Sequence, residues 1–319
     1  MHKNDADFTH RSVLLDEVLS LLETASGGTF VDATLGLGGH SEAMLESSTA
    51  VYVTGIDQDG EALERAGKRL ERFGSRFKSV HANFSAIGDV VQIESVDGIV
   101  ADLGVSSMQL DDESRGFSFR FDAPLDMRMD ASSDGITAAE LIAETNEEDL
   151  ANIIYQFGEE RQSRKIASRI IEKQKNGEPI ETTRQLAELL ERTVKRSPKD
   201  KIHPATRTFQ ALRIAVNGEL EILEQFIADS LKVLKIGGVL AVITFHSLED
   251  RIVKHAFQRL GGKCICPPRI PQCVCGAAKR VDILTRKPVI PTDDEQRDNP
   301  RSRSAKLRAV KKLGLDRES

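Results

Sequence analysis

One stretch near the N-terminus constrains the fold more than any other: Phe30-Val-Asp-Ala-Thr-Leu-Gly-Leu-Gly-Gly-His-Ser41, followed by Tyr52-Val-Thr-Gly-Ile-Asp57. A short apolar run ends in Asp32 and opens into a glycine turn. The turn leads into a helical pattern, and a second apolar run ends in an acid at Asp57. Strand, glycine turn, helix, strand, acid is half of a doubly wound sheet that binds a nucleoside beyond the carboxyl ends of its strands. Gly36, Gly38 and Gly39 remove side chains where backbone approaches a ligand closely. The helix after them points unpaired N–H groups at the same place and favours a carboxylate or phosphate there. Asp57 is placed to hydrogen-bond a ribose diol.

The motif alone leaves the ligand open. A dinucleotide loop reads G-x-G-x-x-G, and here the last glycine position is Ser41. No G-x-x-x-x-G-K-[ST] exists in the chain, which excludes a P-loop. S-adenosylmethionine needs no pyrophosphate cradle, only a loop for its amino-acid end and an acid for its ribose. Both ligands stand at this point, beside a tight turn that binds nothing.

At 319 residues the length suggests about two domains. A hydrophobic fraction of 39% is enough for a sizeable core. The chain lacks a continuous apolar run of about 18 residues, so no membrane span is expected. Met-His-Lys-Asn-Asp-Ala-Asp has no signal-peptide character, and a cytoplasmic location is the default. The net charge of -6 does not advertise a nucleic-acid binder, but basic residues are unevenly placed. Arg161, Arg164, Lys165, Arg169, Lys173 and Lys175 crowd one helical segment, and a second patch runs from Arg297 to Lys312. Each patch reads as a phosphate-binding surface or as a solvated helix face.

Strands are expected at Thr29–Ala33, Val51–Asp57, Phe77–Val80 and Val96–Asp102, with helices Ser12–Leu22 (Ser12 as N-cap) and Glu61–Phe73 among them. The rhythm implies a mostly parallel sheet. It then stops. Between Ser106 and Ile202 helices dominate, with capping boxes at Thr137 and Thr182 and an N-cap at Asn146. A long helix is expected from Asn217 to Leu234, stopped by Lys235-Ile-Gly-Gly238. Strand Val239–Phe245, helix Leu248–Leu260 and strand Ser304–Lys311 follow. The predicted architecture is α/β and Rossmann-like, with an all-helical domain inserted after the fourth strand. The predicted boundaries are 1–107 and 206–319 for the two parts of the nucleoside-binding domain and 108–205 for the insertion.

Gly38-Gly39-His40, Asp57, Asn83-Phe84 and Asp102 should meet at the strand ends. Phe84 reads as an adenine-stacking ring or as a core phenylalanine. Asp102 sits where methyltransferases place the residue facing the reactive methyl, or it caps a turn. Methyl transfer needs alignment more than acid–base machinery. An exocyclic amine on a nucleobase is the exception. A hydrogen-bond acceptor frees its lone pair and later takes a proton, and Asp102 is the candidate.

At this point the chain resembles the RsmH (MraW) family. The resemblance is carried by His10-x-Ser-Val-Leu-Leu15, Asp32-Ala-Thr-Leu-Gly-x-Gly-Gly-His-Ser41, Gly55-Ile-Asp57, Asn83-Phe84, Asp102-Leu-Gly-Val-Ser-Ser-x-Gln-Leu110, Arg115-Gly-Phe-Ser-Phe119 and Pro124-Leu-Asp-Met-Arg-Met-Asp130. It continues through His203-Pro-Ala-Thr-Arg-x-Phe-Gln-Ala-Leu-Arg213, Asn217-x-Glu219 and Phe245-His-Ser-Leu-Glu-Asp-Arg251. The resemblance implies a class I, S-adenosylmethionine-dependent methyltransferase acting on N4 of cytosine 1402 in bacterial 16S ribosomal RNA. It implies cofactor contacts at Gly38, Gly39, His40, Asp57, Phe84, Asp102 and Gln109, and a helical insertion that helps grip the RNA of the small ribosomal subunit. The D-P-P-Y signature of other amino-methyltransferases is replaced by Asp102-Leu-Gly-Val. Something else must therefore hold the target base. Phe117, Phe119 and Phe121 are stacking candidates or loop anchors. Two polar clusters are expected to line the base pocket: His203, Arg207, Arg213, Asn217 and Glu219, and His246, Glu249, Asp250 and Arg251. Asn217 and His246 are the catalytic candidates among them, beside Asp102.

All four cysteines, Cys264, Cys266, Cys273 and Cys275, lie in one short segment. They read as a structural zinc site or as reduced, redox-labile thiols. The C-x-C spacing is tighter than the usual C-x₂-C. Rival readings of the whole chain are a nicotinamide-dependent oxidoreductase and a non-catalytic RNA-binding factor. The sequence leaves the oligomeric state open, a homodimer included.

Overall fold

The computed structural model describes residues 12–195, 202–264, 266 and 274–314. The chain divides into two compact units, residues 105–219 and the two flanking segments 1–104 and 220–319.

The first unit is built on a seven-stranded sheet: β1 (Gly28–Asp32), β2 (Val51–Asp57), β3 (Phe77–His81), β4 (Val96–Asp102), β5 (Leu234–Thr244), β6 (Val281–Ile283) and β7 (Lys306–Lys312). Its order is β3-β2-β1-β4-β5-β7-β6. Strands β1 to β5 pair in parallel, whereas β7 runs antiparallel to β5 and to β6. Valine, isoleucine and leucine fill the central strands because both faces are covered, as a parallel sheet requires. One face buries Val31, Ile99, Leu240 and Val242 against Phe226, Ile227, Val253 and Phe257. The other buries Phe30, Val100, Ala241 and Ile243 with Val18, Leu22, Met44 and Leu45. The sheet order reverses at β1 and β4, so their carboxyl ends, Asp32 and Asp102, open a crevice.

Several expected boundaries shift. The first helix spans Leu15–Leu22, and Leu14, not Ser12, precedes it with φ 52° and no side-chain cap. That conformation lets the Leu14 amide donate to Glu295 Oε1 at 2.8 Å. Lys235 to Gly238, expected to stop a helix, lie inside β5, which follows directly on the helix Glu219–Val233. Gly238 belongs there because a Cβ would sit 3.1 Å from the Asp97 carbonyl oxygen on β4.

The second unit is helical: Ser107–Asp111, Ala138–Glu144, Glu147–Gly158, Ser163–Lys175, Thr183–Thr193 and Thr206–Asn217. Both expected capping boxes form, Thr137 with Glu140 and Thr182 with Gln185, and Asn146 caps the helix after it. Ile142, Leu150, Ile154, Ile166, Ile170, Leu186, Leu190 and Leu212 make one core. The helix Thr206–Asn217, expected in the second part of the sheet domain, belongs to this unit through Phe209 and Leu212. It ends at Gly218 with φ 60°, so Asn217 closes one helix instead of opening the next.

Candidate active site

The crevice is assembled from the β1 turn upward. Leu35 N–H donates to Ile56 O on β2, and Ala33 N–H to Val100 O on β4, which locks the turn to both neighbours of β1. Gly38 takes φ 78° and has Leu70 Cδ1 3.0 Å from where a Cβ would stand. At Gly39 a Cβ would lie 2.1 Å from Ser12 Oγ. The left-handed backbone makes Gly38 a position for glycine, whereas at Gly39 the Ser12 hydroxyl would have to turn away. The helix Gly39–Ser47 begins there with no side-chain cap from Gly38, and of its first-turn N–H groups that of Ser41 meets Asp32. A helix start suits an anionic group, as a ligand carboxylate is.

Three acids stand at the strand ends. Asp32 is buried and accepts from Ser41 Oγ at 2.8 Å. Burial pushes its carboxyl up to about 6, against the hydrogen bonds of Ser41 and Thr34. Asp57 accepts from Gly36 N–H at 2.7 Å on Oδ2 and from Asp59 N–H at 2.9 Å on Oδ1. Burial raises it to about 6 as well, despite those bonds. Asp102 is pushed well above the usual carboxylate range by burial, then by the charges of Asp32 and Glu249. Its side chain is 25% exposed, yet Oδ1 is shielded and has no hydrogen-bond partner. Its backbone N–H is held by Thr34 Oγ1 at 2.6 Å, which ties β4 to the glycine turn.

His40 Nδ1 lies 4.0 Å from Asp102 Oδ2. The other ring nitrogen, Nε2, faces Val13 O at 3.1 Å and must carry the proton, because a carbonyl only accepts. Burial pushes this imidazole down to about 4. It is neutral at pH 7 and does not compensate Asp102. Among the described residues no Lys or Arg pairs with Asp32, Asp57 or Asp102. The crevice is thus a desolvated cluster of acids with a negative excess, beside a helix start whose N-cap residue is glycine.

Other expected members have more local tasks. Asn83 accepts from Ser85 N–H and donates to Gln58 Oε1 at 2.7 Å. Phe84 meets Phe226 edge-on with ring centroids 5.1 Å apart and is half-buried. His246 is the N-cap of the helix Ser247–Leu260, in a capping box with Glu249. Its Nδ1 accepts from Glu249 N–H, and its Nε2 lies 3.0 Å from Glu249 Oε1. Glu249 Oε2 accepts from Phe245 N–H at 2.8 Å. Asp250 pairs with Arg308 at 2.7 Å and Lys306 at 3.4 Å on β7, which hold its carboxyl below the usual range against its burial.

Within the helical unit, Gln109 Oε1 accepts from Ser106 N–H in a capping box, and Gln109 Nε2 donates to Met129 O at 3.4 Å. Asn217 Oδ1 accepts from Met129 N–H, and its Nδ2 donates to Met127 O and Arg213 O, each at 2.8 Å. The bonds to Met127 and Met129 hold the segment after Pro124 in place, a role that the sequence did not announce. The polar run from His203 to Glu219 separates into pairs: His203 with Glu191 at 2.9 Å, Arg207 with Glu160 at 3.8 Å and Arg213 with Glu219 at 2.8 Å. Phe117 is buried in the core, and Phe119 stacks on His203 at 4.5 Å and meets Phe209 edge-on. Both are anchors. Phe121 is half-buried. On the basic helix, Arg169 pairs with Glu172 and Lys173 with Glu178, whereas Arg164 on it and Arg161 in the turn before it are exposed and meet no carboxylate among the described residues.

Cys264, Cys266 and Cys275 come together, their sulfur atoms all within 4.8 Å of one another. Cys273 lies outside the described residues, as does His10.

A parallel sheet with reversed β7, a glycine turn after β1 and acids ending β1, β2 and β4 define a Rossmann-like class I methyltransferase. The model of the MraW methylase family matches residues 7–313, and the chain belongs to that family. It is similar to the Ribosomal RNA small subunit methyltransferase H of Trichlorobacter lovleyi, 51% identical over 313 residues that cover 97% of this chain and 99% of that one. The protein of the same name from Geobacter sulfurreducens is 50% identical over 311 residues, 96% of this chain and 99% of its own length. Among solved structures, an rRNA methylase from Streptococcus thermophilus covers 93% of this chain and 95% of its own at 11% identity and a TM-score of 0.41, too low to add to the family assignment.

Proposed function

We propose that this chain transfers a methyl group from S-adenosylmethionine to N4 of cytosine 1402 in 16S ribosomal RNA, acting in the cytoplasm on the small ribosomal subunit. The observation that carries the reading is the shielded, unpartnered Asp102 Oδ1 within a crevice of uncompensated acids. The name borne by the similar proteins, small subunit rRNA methyltransferase, supplies the substrate class.

The residues fit the cofactor. An excess of buried negative charge favours a sulfonium cation and disfavours the pyrophosphate of a dinucleotide. Gly38, Gly39 and His40, with the helix start, would hold the amino-acid end. Each oxygen of Asp57 accepts one backbone N–H and keeps a second lone pair for a ribose hydroxyl. Phe84 would lie along the adenine. S-adenosylmethionine supplies an electrophilic methyl on sulfur.

Everything else falls to the chain. The Asp102 carboxylate, a quarter of whose side chain stays exposed, accepts a hydrogen bond from the exocyclic amine, which turns the nitrogen lone pair out of conjugation with the ring. The raised proton affinity of this carboxyl suits it to keep the amine proton afterwards. Thr34, through the Asp102 amide, fixes the backbone from which that carboxylate projects. Arg161 and Arg164 offer unspent charge to RNA phosphates. Gln109 and Asn217 hold the segment at Met127 and Met129 in place within the helical unit, and His246 acts through Glu249.

Incubation with labelled S-adenosylmethionine and small subunits lacking the modification tests this. Mass spectrometry of the digested RNA is expected to find one new methyl on N4 of that cytosine. A methyl on ring carbon, on ribose or on another nucleotide contradicts the assignment.

A further inference from the structure

The segment between the helix Ser247–Leu260 and β6 makes a closed excursion. Its base is pinned by the Gly261–Lys279 bridge, by Arg280 N–H donating to Leu260 O at 2.7 Å and by Lys263 N–H donating to Gln258 O at 2.9 Å. Beyond that base stand Cys264, Cys266 and Cys275. From the mutual approach of their sulfur atoms we infer that these three cysteines form a structural zinc site that staples the excursion shut.

Three observations carry the site. First, the sulfur atoms lie within 4.8 Å of one another, and Cys275 Sγ is 3.7 Å from Cys264 Sγ. Two thiolates on one tetrahedral zinc stand about 3.8 Å apart, given a Zn–S bond of about 2.3 Å. A disulfide would bring them to about 2.05 Å. Second, backbone N–H groups point at the sulfurs: Cys266 N–H at Cys264 Sγ and Val274 N–H at Cys266 Sγ, both at 3.4 Å. Such donors steady the negative charge of a thiolate and orient it for a metal. Third, Cys264 is exposed and Cys266 and Cys275 are half-exposed. Cysteines retained for packing are buried, so packing does not explain this cluster.

Thiolates select a soft or borderline metal over magnesium or calcium, and zinc is the divalent ion that three of them at this spacing suit. Three sulfurs leave one corner of the tetrahedron for a fourth donor. Binding exchanges thiol protons for the metal and releases them to solvent, with no change of oxidation state. The site is separate from methyl transfer, and its proof does not depend on the proposed function.

The full chain, purified under reducing conditions without chelator, is analysed for metal by mass spectrometry, then stripped and titrated with cobalt(II). The expected result is about one zinc per chain. Thiolate-to-cobalt charge-transfer bands should appear in the near ultraviolet and vanish on adding zinc. Cys264→Ser with Cys275→Ser should abolish the bands and weaken zinc binding at least ~100-fold. Should that variant fail to fold, the wild-type chain still decides. Zinc must slow the reaction of its thiols with a thiol reagent at least ~10-fold, and chelator must restore it. Thiols that react equally fast with and without zinc overturn the inference. So does a chain lighter by two hydrogens that takes up no cobalt, since the cluster is then a redox pair.

Discussion

Asp102 Oδ1 is an acceptor with no donor, next to Asp32 and Glu249 charges that raise its proton affinity. Nothing in the fold requires this expense, since an asparagine has the same shape. Asp102→Asn is therefore expected to lower methyl transfer at saturating cofactor by about 100-fold or more, measured as label entering unmodified subunits. Its thermal midpoint should hold or rise, because an unpaired buried charge is gone. Activity within a few-fold of wild type would remove Asp102 from the proton-accepting role. The sequence marked its position, because an acid ends the apolar run of β4, but left its task open between proton acceptor and turn cap. His246 was less so: its position past β5 suggested a base pocket, but its ring opens a helix with Glu249. A histidine N-cap carries no pattern distinct from a histidine ligand.

At the scale of elements, β2 and β4 could be bounded to the residue, because each is an apolar run stopped by an acid. The capping boxes at Thr137 and Thr182 were legible for the same reason: both partners lie within one turn. What escaped depends on distant partners. The first helix starts late because Leu14 reaches Glu295, and β5 starts early because Leu234 pairs with Val96. Asn217 binds backbone at Met127 and Met129, which no local signal marks. Asn217→Ala should cost about 2–3 kcal/mol in denaturant unfolding, since buried backbone groups lose partners. It should also speed proteolysis between Arg115 and Asp130; unchanged cleavage would show that the segment is held elsewhere. At the start of the basic helix, Arg161→Ala with Arg164→Ala should weaken RNA binding uniformly across sequences and reduce the slope of log affinity against log salt by about 2. An unaltered slope would make that face a solvated one.

The whole molecule carries a net charge of -6, and part of that charge is buried at one crevice. Asp32 and Asp57, raised from an ordinary 3.8 to about 6, stabilise the fold only while protonated. Each contribution is full below pH 3.8 and is lost as pH rises through 6, about 3 kcal/mol apiece. His40, lowered from 6.5 to about 4, works the other way, its contribution present above 6.5 and lost as pH falls through 4. Between pH 4 and 6.5 one carboxyl roughly offsets the imidazole and Asp102 adds its own loss, so the ligand-free chain should lose at least about 3 kcal/mol over that window, read from denaturant midpoints. Stability that rises steadily with pH would contradict the burial of these acids.

A cation bound in the crevice must draw these carboxyls back toward their ionised form. Calorimetric titration of S-adenosylmethionine near pH 6, repeated in buffers of different ionisation enthalpy, counts the protons that move. Release on binding is expected, with affinity climbing as pH rises from 5 to 7, and with less release in Asp102→Asn. No proton movement, or uptake, would mean that the cofactor does not meet the acids at the strand ends.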